Sequence, residues 1–136
     1  MKQYLLDTCI CVFLFRNKFG IENRLEEIGP EQCYISEVTI AELTYGAYKS
    51  NRVEYNLDLI NSFVSRVHIV PFVDSIHFYA REKNRLRAMG TPVEDFDLLI
   101  AASAVAHGLT LVTDNLKHFQ NISGLKIENW VNRSSK

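Results

Sequence analysis

The sequence predicts a single α/β domain with a mostly parallel central β-sheet flanked by helices. Two observations carry this prediction. Short apolar runs of strand length alternate with longer amphipathic segments, and those segments are long enough for the crossover connections that parallel strands require. The 136 residues suit one domain, which we place at residues 1–131, followed by a polar C-terminal tail at residues 132–136.

Each element is predicted from its local hydrophobic pattern and from the turn or capping residues at its ends. Strands are expected where short apolar runs end at turn or capping residues, namely at residues 3–6, 33–36, 67–71, 110–113 and 126–128. Helices are expected where apolar residues recur at helical spacing between glycine, proline and capping residues, namely at residues 10–16, 21–28, 37–49, 53–65, 74–89, 95–107 and, as a short turn, 116–119. Ligands of such sheets bind outside the carboxyl ends of the strands, so chemistry is expected there.

The charge balance limits the function classes that the chain can serve. It has 15 basic and 16 acidic residues and a net charge of −1, which excludes a polycation that coats nucleic acid. A nucleic-acid function would therefore need a local basic surface. Such a surface is offered by a helix whose basic residues fall in two i, i+4 pairs, with one further lysine downstream; an ordinary solvated helix face is the alternative. These residues are Arg81, Lys83, Arg85, Arg87 and Lys117.

The cysteines and the N-terminal segment predict a cytoplasmic protein that does not enter a membrane. Cys9, Cys11 and Cys33 lack the spacing and the nearby histidines of a zinc site, so we expect free thiols in a reducing compartment. The apolar run at residues 4–15 is interrupted by Asp7 and no small-residue cleavage site follows it. It is also shorter than the roughly 20 residues that span a bilayer.

Three acidic residues are candidates for a functional site. Asp7 directly follows the first strand, where it suits either a site at the sheet rim or the cap of the next helix. Glu42 shares a helix face with Val38, Ala41 and Tyr45, so we expect a carboxylate on an apolar stripe; a glutamate that reaches water from the edge of the stripe is the alternative.

The third acid opens a helix that is apolar almost all round. Asp95 is the expected N-cap of this helix, and Asp97 then lies in the first turn, where the helix dipole also favours a carboxylate. Asp114 and Asn115 follow the fourth strand and converge with Asp7 if the two strands are neighbours. Clustered carboxylates repel one another unless a divalent cation neutralises them, and oxygen-only ligands suit Mg²⁺ or Mn²⁺.

Several segments, taken in order and with their spacing, resemble PIN-domain ribonucleases and, more narrowly, the VapC toxins of bacterial toxin–antitoxin pairs. These segments are LLDTCI at residues 5–10, TIAELTYG at 39–46, DLLIAA at 97–102, LVTDN at 111–115 and GLKIENW at 124–130. The resemblance covers essentially the whole chain and implies a PIN-like fold.

The resemblance also implies the site. Asp7, Glu42 and Asp97 match the three core acidic residues of the family. The fourth family acid falls at Asn115, with Asp114 one place earlier, which leaves the fourth ligand open. The sequence departs from the pattern at two further positions, because Cys9 replaces an asparagine and His118 replaces an acidic residue.

The activity implied by the resemblance is metal-dependent hydrolysis of RNA phosphodiester bonds, commonly in tRNA or another structured RNA. Mg²⁺ or Mn²⁺ ions held by Asp7 and Asp97 would activate a water and stabilise the leaving 3′-oxygen, and Glu42 would complete the ligand set or orient the water. Thr8 and Thr113 are candidates to fix the carboxylates by hydrogen bonds; ordinary strand-end hydrogen bonding is the alternative, and it is favoured for Thr113. The implied partners are a VapB-like antitoxin, whose C-terminal segment lies over the active site, and a second toxin copy in a homodimer.

Two other classes of protein remain as alternatives. A PIN-like module that binds RNA or protein without catalysis has the same sequence pattern. A Mg²⁺-dependent phosphotransfer domain also clusters aspartates, but this chain lacks the second aspartate of a D-x-D start after Asp7, and a phosphotransfer site does not explain Glu42.

Overall fold

The computed structural model describes residues 2–134 and contains one parallel β-sheet. Within those residues the sheet has five strands in the order β3-β2-β1-β4-β5, and every neighbouring pair is parallel. The strands are β1 (Tyr4–Leu6), β2 (Cys33–Ser36), β3 (His68–Val70), β4 (Thr110–Val112) and β5 (Ile127–Glu128). The predicted α/β class is confirmed, and the first strand of the chain lies at the centre of the sheet.

Helices cover both faces of the sheet. They are α1 (Thr8–Phe15), α2 (Ile21–Ile28), α3 (Glu37–Lys49), α4 (Val53–Val64), α5 (Ile76–Ala88), α6 (Asp95–Ala106) and α7 (Leu116–Phe119), with 3₁₀ turns at Pro30–Gln32 and Val73–Ser75. In the described part of the chain, no helix has both the length and the apolar character needed to cross a membrane.

Alternating side chains of β1 join two hydrophobic cores, one on each face of the sheet. Tyr4 and Leu6 pack with buried residues of α1 to α4. Leu5 points to the other face and packs with buried residues of α5 and α6. Both cores meet at β1, so the carboxyl end of this strand is held rigidly from both sides.

Helix α6 is buried nearly all round, as its sequence predicts. Leu98, Ile100, Ala101 and Ala104 are fully buried in the second core. Small alanine side chains let the helix backbone approach the sheet closely, which brings its N-terminal turn to the sheet rim. Asp97 lies in that turn.

Three local predictions were wrong. Helix α1 begins at Thr8 rather than residue 10, because the Asp7 side chain caps it. Helix α5 begins at Ile76 rather than residue 74, since a 3₁₀ turn precedes it. Glu94, not Asp95, occupies the N-cap position of α6; the Asp95 carboxylate instead accepts hydrogen bonds from the Tyr79 hydroxyl and the Lys83 ammonium group.

The expected apolar stripe around Glu42 was also wrong. Ala41 and Tyr45 lie on the exposed side of α3, where Tyr45 is 66% exposed. The helix packs through Thr39, Leu43 and Ala47, which are i, i+4, i+8 neighbours. Glu42 therefore lies at the border of the buried face, and its position in the fold needs a different explanation.

The predicted tail at residues 132–136 is only partly within the described residues, since Ser135 and Lys136 lie outside them. The part that is described contacts the domain. The Asn132 N–H donates to the Phe19 carbonyl oxygen, and the Arg133 guanidinium lies over the Phe19 ring at 5.3 Å from its centroid.

Candidate active site

The structure brings the three predicted acids to the carboxyl end of the sheet. Asp7 follows β1, Glu42 lies in the middle of α3 and Asp97 lies in the first turn of α6. Their charges interact: burial and then the Asp7 charge raise the pKa of Asp97. Burial also raises the pKa of Glu42, with further contributions from the charges of Asp7 and Asp97. The charge of Asp7 therefore acts on both other carboxyl groups of the site.

Asp7 serves as both helix cap and buried acid, so the two interpretations of its sequence position are compatible. Its Oδ1 accepts the Thr8 N–H at 2.8 Å, and its Oδ2 accepts the Thr113 hydroxyl at 2.8 Å. The Cys9 thiol lies 3.7 Å from Oδ2. Burial raises the pKa of Asp7, and these hydrogen bonds lower it only in part. The donors are neutral, so they orient the carboxylate without cancelling its charge.

A short chain of hydroxyl groups holds Glu42. The Thr8 hydroxyl donates to Glu42 Oε1 at 2.7 Å and lies 3.0 Å from Thr39 Oγ1. Thr39 is fully buried and was not predicted as a site residue. Its spacing offered a signal, because residues three apart in a helix lie on one face, and Thr39 precedes Glu42 by three. The reason for Glu42's position is thus a polar contact to α1, not an apolar stripe.

Asp97 lies at a cleft of about 580 Å³. Its Oδ2 lies 3.2 Å from His118 Nδ1, and the charge of His118 lowers the pKa of Asp97 against the larger effect of burial. Lys117 lines the same cleft from α7. The cleft is bordered by Gly90, Thr91, Pro92, Val93, Glu94 and Asn121.

The two candidates for a fourth ligand have different surroundings. The Asp114 carboxylate is bound at both oxygens by Arg133, at 3.0 and 2.7 Å, and it also accepts the Asn129 amide. Arg133 holds the pKa of Asp114 below its usual value. Asn115 is exposed, and its backbone N–H donates to Thr113 Oγ1.

The predicted basic residues fall into two groups. Lys83 and Arg85 are engaged within the domain, Lys83 with Asp95 at 2.8 Å and Arg85 with Glu82 at 2.6 Å. Arg81 and Arg87 are exposed on α5. A hollow of about 240 Å³, lined in part by Lys83 and Arg87, shares Pro92, Val93 and Glu94 with the Asp97 cleft.

The donor chemistry of the site fits a hard divalent cation. The three carboxylates supply only oxygen, and burial raises the pKa of each; the charge of Asp7 raises those of Glu42 and Asp97 further. Within residues 2–134, no group of three or more His, Cys, Asp and Glu side chains is arranged to hold one ion. An ion would take carboxylates of the site together with water and substrate phosphate, as is usual for Mg²⁺.

The chain resembles known proteins over nearly its full length. A model of the PIN domain family matches residues 4–125. The tRNA(fMet)-specific endonuclease VapC of Shigella flexneri is 36% identical over 131 residues, which cover 96% of this chain and 99% of the relative. Ribonuclease VapC2 of Rickettsia felis is 38% identical over 130 residues, which cover 93% and 97%.

The chain also resembles solved structures of VapBC proteins over nearly its full length. DNA-bound VapBC from Salmonella typhimurium superposes with a TM-score of 0.89 at 35% identity, covering 96% of this chain and 99% of that chain. VapBC2 from Rickettsia felis, bound to a promoter DNA fragment, superposes with a TM-score of 0.86 at 36% identity and covers 93% and 98%. The order of the sheet, the three converging acids and this full-length similarity agree: the chain belongs to the PIN-domain family, among its VapC ribonucleases.

Proposed function

We propose that this protein is a Mg²⁺- or Mn²⁺-dependent endoribonuclease and the toxin of a VapBC-type toxin–antitoxin pair. The observation that carries the proposal is the convergence of Asp7, Glu42 and Asp97, all three of which have raised pKa values. At Asp7 the hydrogen-bond donors are neutral, so they orient the carboxylate without cancelling its charge. The substrate is tRNA or another structured RNA, as the name of the Shigella flexneri relative suggests.

Asp7 and Asp97 would hold the metal, and Glu42 would complete the ligand set or orient the attacking water. When bound, the metal lowers the pKa of a water for attack on phosphorus and stabilises the leaving 3′-oxygen. Thr113 fixes one oxygen of Asp7, and the Thr8 backbone fixes the other. Thr8 also fixes Glu42 through its hydroxyl, so one residue couples the positions of two acids.

Contacts to RNA are proposed along the basic residues near the Asp97 cleft. Lys117 lines this cleft, and Lys83 and Arg87 line the hollow that adjoins it. This arrangement is a local basic surface in a chain whose net charge is only −1. Phosphate contacts of this kind make RNA binding weaker at higher salt.

A VapB-like antitoxin is the proposed partner, which is supported by the VapBC structures from Rickettsia felis and Salmonella typhimurium that resemble this chain. Its C-terminal segment would lie over the active site, and a homodimer of the toxin is proposed with it. A cytoplasmic location is proposed as well, which is supported by the free thiols of Cys9, Cys11 and Cys33.

The test is cleavage of purified total tRNA by the purified protein with Mg²⁺ or Mn²⁺, with and without EDTA. Asp7→Asn and Asp97→Asn are compared with Asp58→Asn, an exposed aspartate of α4 outside the site. We expect cleavage by the wild type and by Asp58→Asn, and its loss in EDTA and in the two site variants. Cleavage that persists in EDTA or in both site variants would contradict the metal-nuclease proposal.

The same assay addresses the alternative functions. Binding of Mn²⁺ without cleavage of any RNA in the tRNA pool or in total RNA would favour a PIN-like module that binds RNA or protein. The phosphotransfer alternative loses its support, because the PIN family model spans residues 4–125 of this chain.

A further inference from the structure

His118 is a site residue that the proposed mechanism does not use. It lies near the end of α7, at a position where the resemblance places an acidic residue. Its Nδ1 faces Asp97 Oδ2 at 3.2 Å, and both residues line the same cleft. The histidine side chain is 58% exposed, so an ion or a phosphate can reach it from solvent.

The separation of the two atoms matches that of two ligands on one ion. Ligands about 2.1 Å from a metal and at right angles to each other are about 3.0 Å apart, and a tetrahedral arrangement gives about 3.4 Å. The observed 3.2 Å lies between these values. An ion could therefore take both atoms as ligands with little movement of either side chain.

The ligand type decides which ion the pair prefers. Mg²⁺ is bound almost entirely by oxygen. Mn²⁺ also favours oxygen, but as a transition ion it accepts an imidazole nitrogen more readily than Mg²⁺ does, although less readily than Zn²⁺. An acidic residue at this position would add a charged oxygen, and His118 adds a neutral nitrogen instead. Asp97 and His118 both line the open cleft, from which water and an RNA phosphate could supply further ligands.

We propose that Asp97 and His118 together bind one divalent ion, and that the imidazole nitrogen makes the site prefer Mn²⁺ over Mg²⁺. This proposal rests on the proposed metal-dependent function and specifies one of its ligands. It gives His118 a role as a metal ligand rather than as an ion-pair partner of Asp97 alone.

The test detects a nitrogen ligand directly. Untagged protein is loaded with Mn²⁺, and electron spin echo envelope modulation is used to look for ¹⁴N coupling; Kd values for Mn²⁺ and Mg²⁺ are measured by calorimetry. The variant is His118→Glu, which replaces the nitrogen by a carboxylate. The matched control is His77→Gln, which removes an exposed histidine of α5 outside the cleft.

We expect ¹⁴N coupling in the wild type and in His77→Gln, and its loss in His118→Glu. The ratio of the Mg²⁺ Kd to the Mn²⁺ Kd should fall by about tenfold or more in His118→Glu, since loss of a ligand or of its orienting partner typically changes metal affinity by 10–100-fold.

Bound Mn²⁺ without ¹⁴N coupling, or an unchanged Kd ratio in His118→Glu, would overturn the proposal. If RNA cleavage with Mg²⁺ persists alongside such a result, the ribonuclease function stands and only the role of His118 is wrong. If neither Mn²⁺ nor Mg²⁺ binds to the wild type, both proposals fail together.

Discussion

Asp7 and Asp114 follow β1 and β4, two neighbouring strands at the centre of the sheet, yet their surroundings are opposite. Asp7 is buried and receives hydrogen bonds from neutral donors, and its pKa is raised. Asp114 is bound at both oxygens by Arg133, and its pKa is lowered. Topology alone therefore does not make an acid at a strand end a metal ligand.

The difference lies in which charges each carboxylate meets. The charge of Asp7 raises the pKa values of two more acids, Glu42 and Asp97. A bound metal ion would relieve the repulsion among these carboxylates. The charge of Asp114 is already compensated, because the Arg133 guanidinium of the C-terminal segment forms an ion pair with it. We propose that Asp7 serves the chemistry and that Asp114 serves to hold the C-terminal segment on the domain.

The largest effect is expected from Asp97→Asn or Asp7→Asn. Each change removes a charged metal ligand that is worth several kcal/mol in the transition state, so RNA cleavage should fall on the order of 10³-fold or more. Single-turnover cleavage of the tRNA substrate measures the loss. A fall of less than about tenfold in both variants would show that the two acids do not hold the metal.

A smaller effect is expected from Thr39→Val. The change removes a buried hydroxyl 3.0 Å from the Thr8 hydroxyl that holds Glu42. A residue of this kind orients a catalytic side chain, so kcat should fall about tenfold with KM nearly unchanged. Thr39→Ser keeps the hydroxyl and should retain most of the activity. Equal losses in the two variants would indicate a packing defect instead.

The acids of the site should also make the stability of the metal-free protein depend on pH. A raised folded-state pKa, as at Asp97, favours folding fully below the ordinary aspartate pKa of about 4, and this contribution is lost as pH rises through the raised value. The Tm of Asp97→Asn should therefore exceed that of the wild type at pH 7, and the difference should shrink toward pH 3.

Adding metal should reverse that loss at neutral pH. An ion at 100 times its Kd adds about 2.7 kcal/mol to the stability of the wild type, and Asp97→Asn should gain less because one ligand is missing. Thermal unfolding with and without Mn²⁺ tests this. An equal Mn²⁺ effect on both proteins would place the ion elsewhere.

The smallest effect is expected from Arg133→Gln. It removes the cation of a pair at the surface, so Tm should fall by a few degrees at most, and tRNA cleavage should stay within about twofold of the wild type. The pH dependence has the opposite sign to that of Asp97: the lowered pKa of Asp114 stabilises the fold above its ordinary value, and this is lost as pH falls through the folded-state pKa. A large loss of cleavage would instead mean that Asp114 belongs to the site.

The sequence predicted the fold class because it depends on local patterns, whereas the resemblance to the PIN-domain family was needed to group Asp7, Glu42 and Asp97 into one site. Apolar runs and breakers defined every strand, and the apolar α6 predicted a buried helix with Asp97 at its mouth. The position of Asp7 after β1 was enough to place it at the sheet rim.

Features that depend on distant contacts could not be predicted in this way. The pairing of Arg133 with Asp114 joins two segments through the folded sheet, and no local pattern indicates it. The apolar stripe expected around Glu42 was wrong, because the packed face of α3 is set by its neighbours rather than by the number of apolar residues on it; the resemblance alone placed Glu42 in the site. His118 stands next to Asp97 only because α7 packs against α6.

The hydrogen bond between Asp7 and Thr113 joins residues that are 106 positions apart. Strand β1 and its partner β4 are separated in the chain by helices α1 to α6, and Asp97 lies in the last of these helices. A nascent chain therefore carries the acids in sequence long before it holds them in space. The site is therefore complete only after β4 has paired with β1 and brought Thr113 to Asp7, so a fragment that ends before β4 should lack the assembled site.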